Sequence, residues 1–152
     1  FARLDQTTVA ASIRLNVTLT PSLSLQTYVQ PFVSAGSYSD FKELAWAGSY
    51  DFVHYGRDGG SSYDPATGIV TPANAGTPFA LSDRSFNYKS LRGNAVLRWE
   101  YRPGSVLYLV WTQERTDTEA TGELRFGPST RRLLDAPAND IFLVKATYRL
   151  SM

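Results

Sequence analysis

The chain has 152 residues, a formal net charge of +1, 43% hydrophobic residues and no cysteine. That is one domain's worth of material, without the basic excess that nucleic-acid binding needs, and it excludes thiolate metal sites and disulfides. No run approaches the roughly 18 apolar residues of a membrane helix, so any membrane role must be carried by strands.

Tyr (9) and Phe (8) are frequent, and with Thr and Val they favour strands. The expected fold is therefore all-β. The sequence starts Phe1-Ala2-Arg3, with neither an initiator Met nor a signal-peptide pattern, so we expect a piece or processed product of a longer protein.

Residues 8–20 alternate without a fault. Val9, Ala11, Ile13, Leu15, Val17 and Leu19 fall on one face, and Ala10, Ser12, Arg14, Asn16, Thr18 and Thr20 on the other. Such a period of two predicts a strand with unlike faces. Thr20-Pro21-Ser22 predicts a tight turn, after which Leu23, Leu25, Thr27, Val29, Pro31 and Val33 alternate with Ser24, Gln26, Tyr28, Gln30 and Phe32. Pro31 has no N–H to give to a ladder, so we expect it near the outer end of this strand.

Residues 36–85 form a segment too long for an ordinary connection, which marks a specialised loop. Within it Ser49 to Tyr55 reads as a strand, and Tyr63 to Val70 as a small hairpin around a Pro65-to-Gly68 turn. Leu91, Gly93, Ala95, Leu97, Trp99 and Tyr101 then alternate with Arg92, Asn94, Val96, Arg98 and Glu100. A tight turn at Arg102-Pro103-Gly104-Ser105 leads into a strand from Val106. A second long loop, 116–139, carries a short helical turn at Thr130 to Leu134. The chain ends on a strand in which Phe142, Val144, Ala146, Tyr148, Leu150 and Met152 alternate with Lys145, Thr147, Arg149 and Ser151.

Short turns on one side and long loops on the other, between strands with one apolar face and aromatic ends, are the signature of an outer-membrane barrel. The expected architecture is an all-β, antiparallel, up-and-down set of about five long strands, residues 1–152 being one segment from the C-terminal portion of a larger transmembrane β-barrel. Five strands cannot close alone. They need upstream strands of the same protein or copies of itself as partners, together with outer-membrane lipid.

The segments LDQTTVAASIRLNVTLTPSLSLQTYVQPFVSAGSYSDFKEL (4–44), FNYKSLRGNAVLRWEYRPGS (86–105), LVWTQERTD (109–117) and DAPANDIFLVKATYRL (135–150) resemble the C-terminal part of an uncharacterised bacterial outer-membrane family. In that family a carbohydrate-binding family 9-like module precedes a large β-barrel. The resemblance implies a barrel C-terminus and a link to glycans, and it brings no catalytic residues.

The lumen-facing candidates are Arg14, Arg92, Arg98, Glu100, Lys145 and Arg149, with Glu114 joining if its strand faces the same way; an excess of cations there would favour anions. Aromatic-belt candidates are Tyr28, Trp99, Tyr101, Trp111 and Tyr148. Trp46, Tyr50, Tyr55 and Tyr63 are the candidate ligand-contacting loop residues, of a type that stacks on sugars. His54, the one histidine, lies three positions from Asp51 and so on the opposite face of a strand, and no G-x-S-x-G elbow is present. Asp58-Gly59-Gly60 and Asp64 lack the spacing of a calcium loop and read as turn residues.

We therefore expect a non-enzymatic protein of the bacterial outer membrane, without metal or cofactor, acting as a pore or in surface binding of glycans. The alternative is an extracellular structural subunit that assembles through open strand edges into an oligomer or filament. A hydrolase reading hangs on His54 alone.

Overall fold

The computed structural model describes residues 1–73 and 76–150. It is all-β apart from one short helix, and its sheets are antiparallel. Ser151 and Met152, read above as continuing the terminal alternation, lie outside the described residues.

The main sheet contains β1 (Arg3–Ala10), β2 (Ile13–Thr20), β3 (Leu23–Ser39), β9 (Phe86–Arg102), β10 (Ser105–Glu119) and β11 (Asn139–Thr147). Its order is β1-β3-β9-β10-β11, with β2 also on β3, which is the neighbour-to-neighbour order of an up-and-down meander. No closed barrel forms among the described residues: β1 and β2 occupy one edge and β11 the other.

The described residues fall into two compact units. One comprises residues 1–7, 35–87 and 120–123; the other comprises 8–34, 88–119 and 124 onwards. In the first, the expected long loop is built rather than irregular. β4 (Lys42–Leu44) pairs with β5 (Phe52–His54), while β6 (Ser62–Asp64), β7 (Ile69–Thr71) and β8 (Phe79–Ala80) form a three-stranded sheet. The Tyr63-to-Val70 hairpin is present as expected. Asp64 makes its turn by accepting hydrogen bonds from the Ala66 N–H and the Thr67 hydroxyl, which is the local chemistry that suits Asp to turns. The strand expected at 49–55 is only the three residues of β5.

The second unit holds most of the long strands. The expected single strand over 8–20 is interrupted at Ala11-Ser12, and Pro31 is the cause. Ala11 N–H donates to the Pro31 carbonyl, but a proline has no N–H with which to return the bond. The register nevertheless runs straight through, because Ile13 opposes Val29 on one side of the gap and the Thr8 and Ser34 hydroxyls meet on the other. Pro31 thus lies in the middle of β3, not at its outer end. The expected helical turn is a full helix, α1 (Phe126–Asp135), and β10 reaches Glu119 before the connection to it begins.

Both tight turns are where the sequence places them. Gly104 has φ +75°, and a Cβ there would meet the Arg149 side chain at 2.6 Å. Gly93, in mid-strand, has only the Tyr28 carbonyl near it, at 3.9 Å. Gly104→Ala is expected to cost about 1–2 kcal/mol, whereas Gly93→Ala is expected to be neutral or stabilising by up to about 0.5 kcal/mol. Denaturant titration of the two variants measures the difference, and equal midpoints would contradict this account of the turn.

Candidate functional site

In an antiparallel ladder, residues that oppose one another share a face. Ile13, Leu15 and Val17 oppose Val29, Thr27 and Leu25. Leu107, Leu109 and Trp111 oppose Ala146, Val144 and Phe142. Between these pairs lies β9, whose phase is fixed by its polar partners: Arg92 Nε donates to Glu114 at 2.8 Å, and Asn94 Nδ2 to the Thr112 hydroxyl at 3.1 Å. Gln30, Phe32, Tyr88, Ser90 and Arg92 line one cavity of about 200 Å³, so β3 and β9 are in phase too. Leu91, Ala95, Leu97, Trp99 and Tyr101 therefore join the apolar face.

That face is not covered. Ile13 is 58% exposed, Val144 67% and Phe142 75%. Trp99 and Tyr101 pack edge to face near the Pro103-Gly104 turn, and the Tyr101 hydroxyl donates to the Thr147 carbonyl. At the other end Trp111 stacks on Phe142 with centroids 6.3 Å apart, and its indole N–H donates to the Asp140 carboxylate at 2.8 Å. Tyr148 is exposed beyond the end of β11, its hydroxyl 3.5 Å from the Arg102 guanidinium. Tyr28 differs from the other four belt candidates. It opposes Arg14, whose guanidinium lies 5.3 Å over its ring, and it stands on the polar face.

The polar face gathers Arg14, Arg92, Arg98, Glu100 and Lys145. Glu114 joins them, as its bond to Arg92 requires. Arg98 donates to Glu100 at 3.1 Å, and Lys145 opposes Tyr108. Arg149 lies past β11, with its backbone N–H on the Ser105 hydroxyl and its side chain against Gly104. This face is not polar throughout: Val110 opposes Leu143 and Thr112 opposes Ile141, so β11 is apolar on both sides from Ile141 to Val144.

Farther from the Pro103-Gly104 turn the same face of β9 and β10 becomes charged. Lys89 is fully buried, its ammonium 2.9 Å from Asp117 and in contact with Glu119; Arg132 of α1 reaches both carboxylates, at 3.4 and 3.2 Å. Lys89, and after it Arg132, holds the Asp117 carboxyl below its ordinary value against the opposing effect of burial. The sequence carries a signal for this cluster that periodicity alone passes over. Lys89 continues the Leu91-Gly93-Ala95 set, and Asp117 and Glu119 continue the Leu107-Leu109-Trp111 set, so opposite charges end two adjacent greasy rows. Lys89→Met leaves two carboxylates without their buried cation and is expected to cost about 3 kcal/mol. Chemical denaturation measures it, and the double change with Asp117→Asn is expected to recover part of the loss.

In the other unit, Trp46 and Tyr50 are exposed, whereas Tyr55 packs on Phe79 and Tyr63 on Phe41. Burial, and then the Glu43 carboxylate, raises the Tyr55 phenol above its ordinary value. His54 does not use Asp51. Its Nδ1 is 2.8 Å from Asp40, which Lys42 and Arg57 also approach, and its backbone N–H donates to Asp58. The bond from His54 is the main cause of a lowered Asp40 carboxyl. No group of three or more metal-ligating side chains occurs among the described residues, and no helix among them is long and apolar enough to cross a membrane.

These features define a class: an antiparallel all-β protein whose sheet leaves one aromatic-bounded apolar face exposed. The chain belongs to the family described as a domain of unknown function, DUF5916, whose model matches residues 1–151. No curated protein and no solved structure matches it.

Proposed function

We propose that this chain supplies membrane-spanning strands of a β-barrel in a bacterial outer membrane. The observation that carries the reading is the uncovered apolar face held in phase across β2, β3, β9, β10 and β11. In water such a surface is a liability; against acyl chains it is the required exterior. From Leu91 to Tyr101 the strand covers about 33 Å, or about 25 Å of depth at the usual tilt near 40°. That is the height of a barrel's apolar band.

The two open edges support a barrel completed by further strands, supplied by more of the same protein or by other copies of it. On the sidedness rule the Pro21 and Pro103 turns face the periplasm, and the 36–85 and 116–139 connections face outside. β3 and β9, each of 17 residues, are about 55 Å long and overshoot the membrane on that outer side. The resemblance to proteins with a carbohydrate-binding module makes glycans the favoured passengers or surface ligands, with Trp46 and Tyr50 the exposed aromatic contacts.

Arg at Leu97 or Val144 is expected to cost about 2–4 kcal/mol if placed near the bilayer midplane and to remove the protein from the outer-membrane fraction. Val96→Arg, on the opposite face of β9, is expected to be tolerated. Equal effects of Leu97→Arg and Val96→Arg would sink the assignment of faces to lipid and lumen. A 16.8 kDa species that pellets from detergent-free, membrane-free extracts would instead favour assembly through open edges.

On the polar face Arg14, Arg92, Arg98 and Lys145 outnumber Glu100 and Glu114, so the lumen favours anions. The reversal potential of the reconstituted protein under a salt gradient is expected to show anion preference; cation preference or no conductance would defeat the pore.

A further inference from the structure

Along the outward face of β10, moving away from the Pro103-Gly104 turn, the side chains are Leu107, Leu109 and Trp111, then Gln113, Arg115, Asp117 and Glu119. The change from apolar to polar takes one step. Asp140 accepts hydrogen bonds from both the Trp111 indole and the Gln113 amide, at 2.8 and 3.0 Å. The next side chain, Arg115, grips the end of α1 through the carbonyls of Leu134 and Ala136. The last turn of α1 therefore lies immediately beyond the Trp111–Phe142 pair, on the same face, with Arg132 anchored to Asp117 and Glu119 behind it.

Helix α1 is strongly amphipathic and buries Ser129 and Leu133. Beside that buried side runs a second stripe at i, i+4 and i+8, consisting of Phe126, Thr130 and Leu134. Phe126 is 61% exposed and Leu134 53%. The Thr130 hydroxyl bonds back to the Phe126 carbonyl at 2.6 Å, which ties up the one polar group in the stripe. These residues line a shallow groove whose rim carries one exposed charge of each sign, Arg131 and Asp135.

A helix with an apolar flank edged by charged residues, its last turn placed where a greasy face gives way to charge, has the chemistry of a helix lying in the headgroup region. We propose that α1 is an interfacial helix resting on the extracellular leaflet. Phe126 and Leu134 enter the boundary between headgroups and acyl chains, and Arg131 meets anionic headgroups. This rests on the barrel reading. It goes further by giving the second long connection a partner, the lipid surface, and by tying its position to the sheet.

The chain has no cysteine of its own, so single nitroxide labels report without background. The test uses the full protein reconstituted in vesicles of phosphatidylcholine and phosphatidylglycerol, labelled in turn through Phe126→Cys, Leu134→Cys, Asp135→Cys and Val144→Cys. Collision with oxygen is compared with collision with a water-soluble nickel chelate. The proposal expects the oxygen-to-nickel ratio at 126 and 134 to exceed that at 135 several-fold and to approach that at 144. Ratios at 126 and 134 equal to that at 135, with 144 still in lipid, would overturn the interfacial helix and leave the barrel standing. A water-exposed label at 144 would overturn both.

Discussion

In an antiparallel ladder the character of each surface depends on whether neighbouring strands alternate in phase, since opposed residues point the same way. Here they do. Ile13 against Val29, Arg92 against Glu114, Asn94 against Thr112 and Trp111 against Phe142 are separate observations with one outcome, a sheet whose apolar residues gather on one side. A slip of one residue in any ladder would turn that strand's whole set over. The arginine-to-glutamate and asparagine-to-threonine contacts on the polar side disfavour such a slip between β9 and β10.

Phase explains the distribution of burial. The buried apolar residues among those described are only Ala35, Val70 and Leu133, while Lys89, Asn87, Ser34, Ser90, Ser105 and Ser129 are buried polar ones. A water-soluble domain inverts this proportion, because its cohesion comes from apolar area removed from solvent. Ladder hydrogen bonds and local clusters such as Lys89 with Asp117, Glu119 and Arg132 hold the strands together, and the apolar area of the sheet stays largely exposed.

Much of this was legible in the sequence, because a half-polar strand writes its faces as a period of two. The sets beginning at Val9, Leu23 and Leu91, and the turns at Pro21 and Pro103-Gly104, needed no partner to be read, although the first is broken at Ala11-Ser12. What depends on register was not legible. The break at Ala11 follows from Pro31 standing opposite it, 20 positions later. Asp40, not Asp51, meets His54 because β4 and β5 fold back on each other. Tyr28 looked like an interface aromatic until its neighbour proved to be Arg14. The strands of β4 to β8, three residues or fewer, are too short for periodicity to register, and Lys89 gave no sign of its burial because its carboxylates lie about thirty residues downstream.

The buried Lys89 ammonium has a mechanical consequence. If the greasy rows of β9 and β10 sit in hydrocarbon, sliding the sheet inward would drag a compact knot of four charges and the helix tied to it out of contact with water. Sliding it outward would bare Trp111 and Phe142. The two penalties would oppose one another, so under that reading the strands would carry their own waterline and their height in a bilayer would be set by chemistry at a single level.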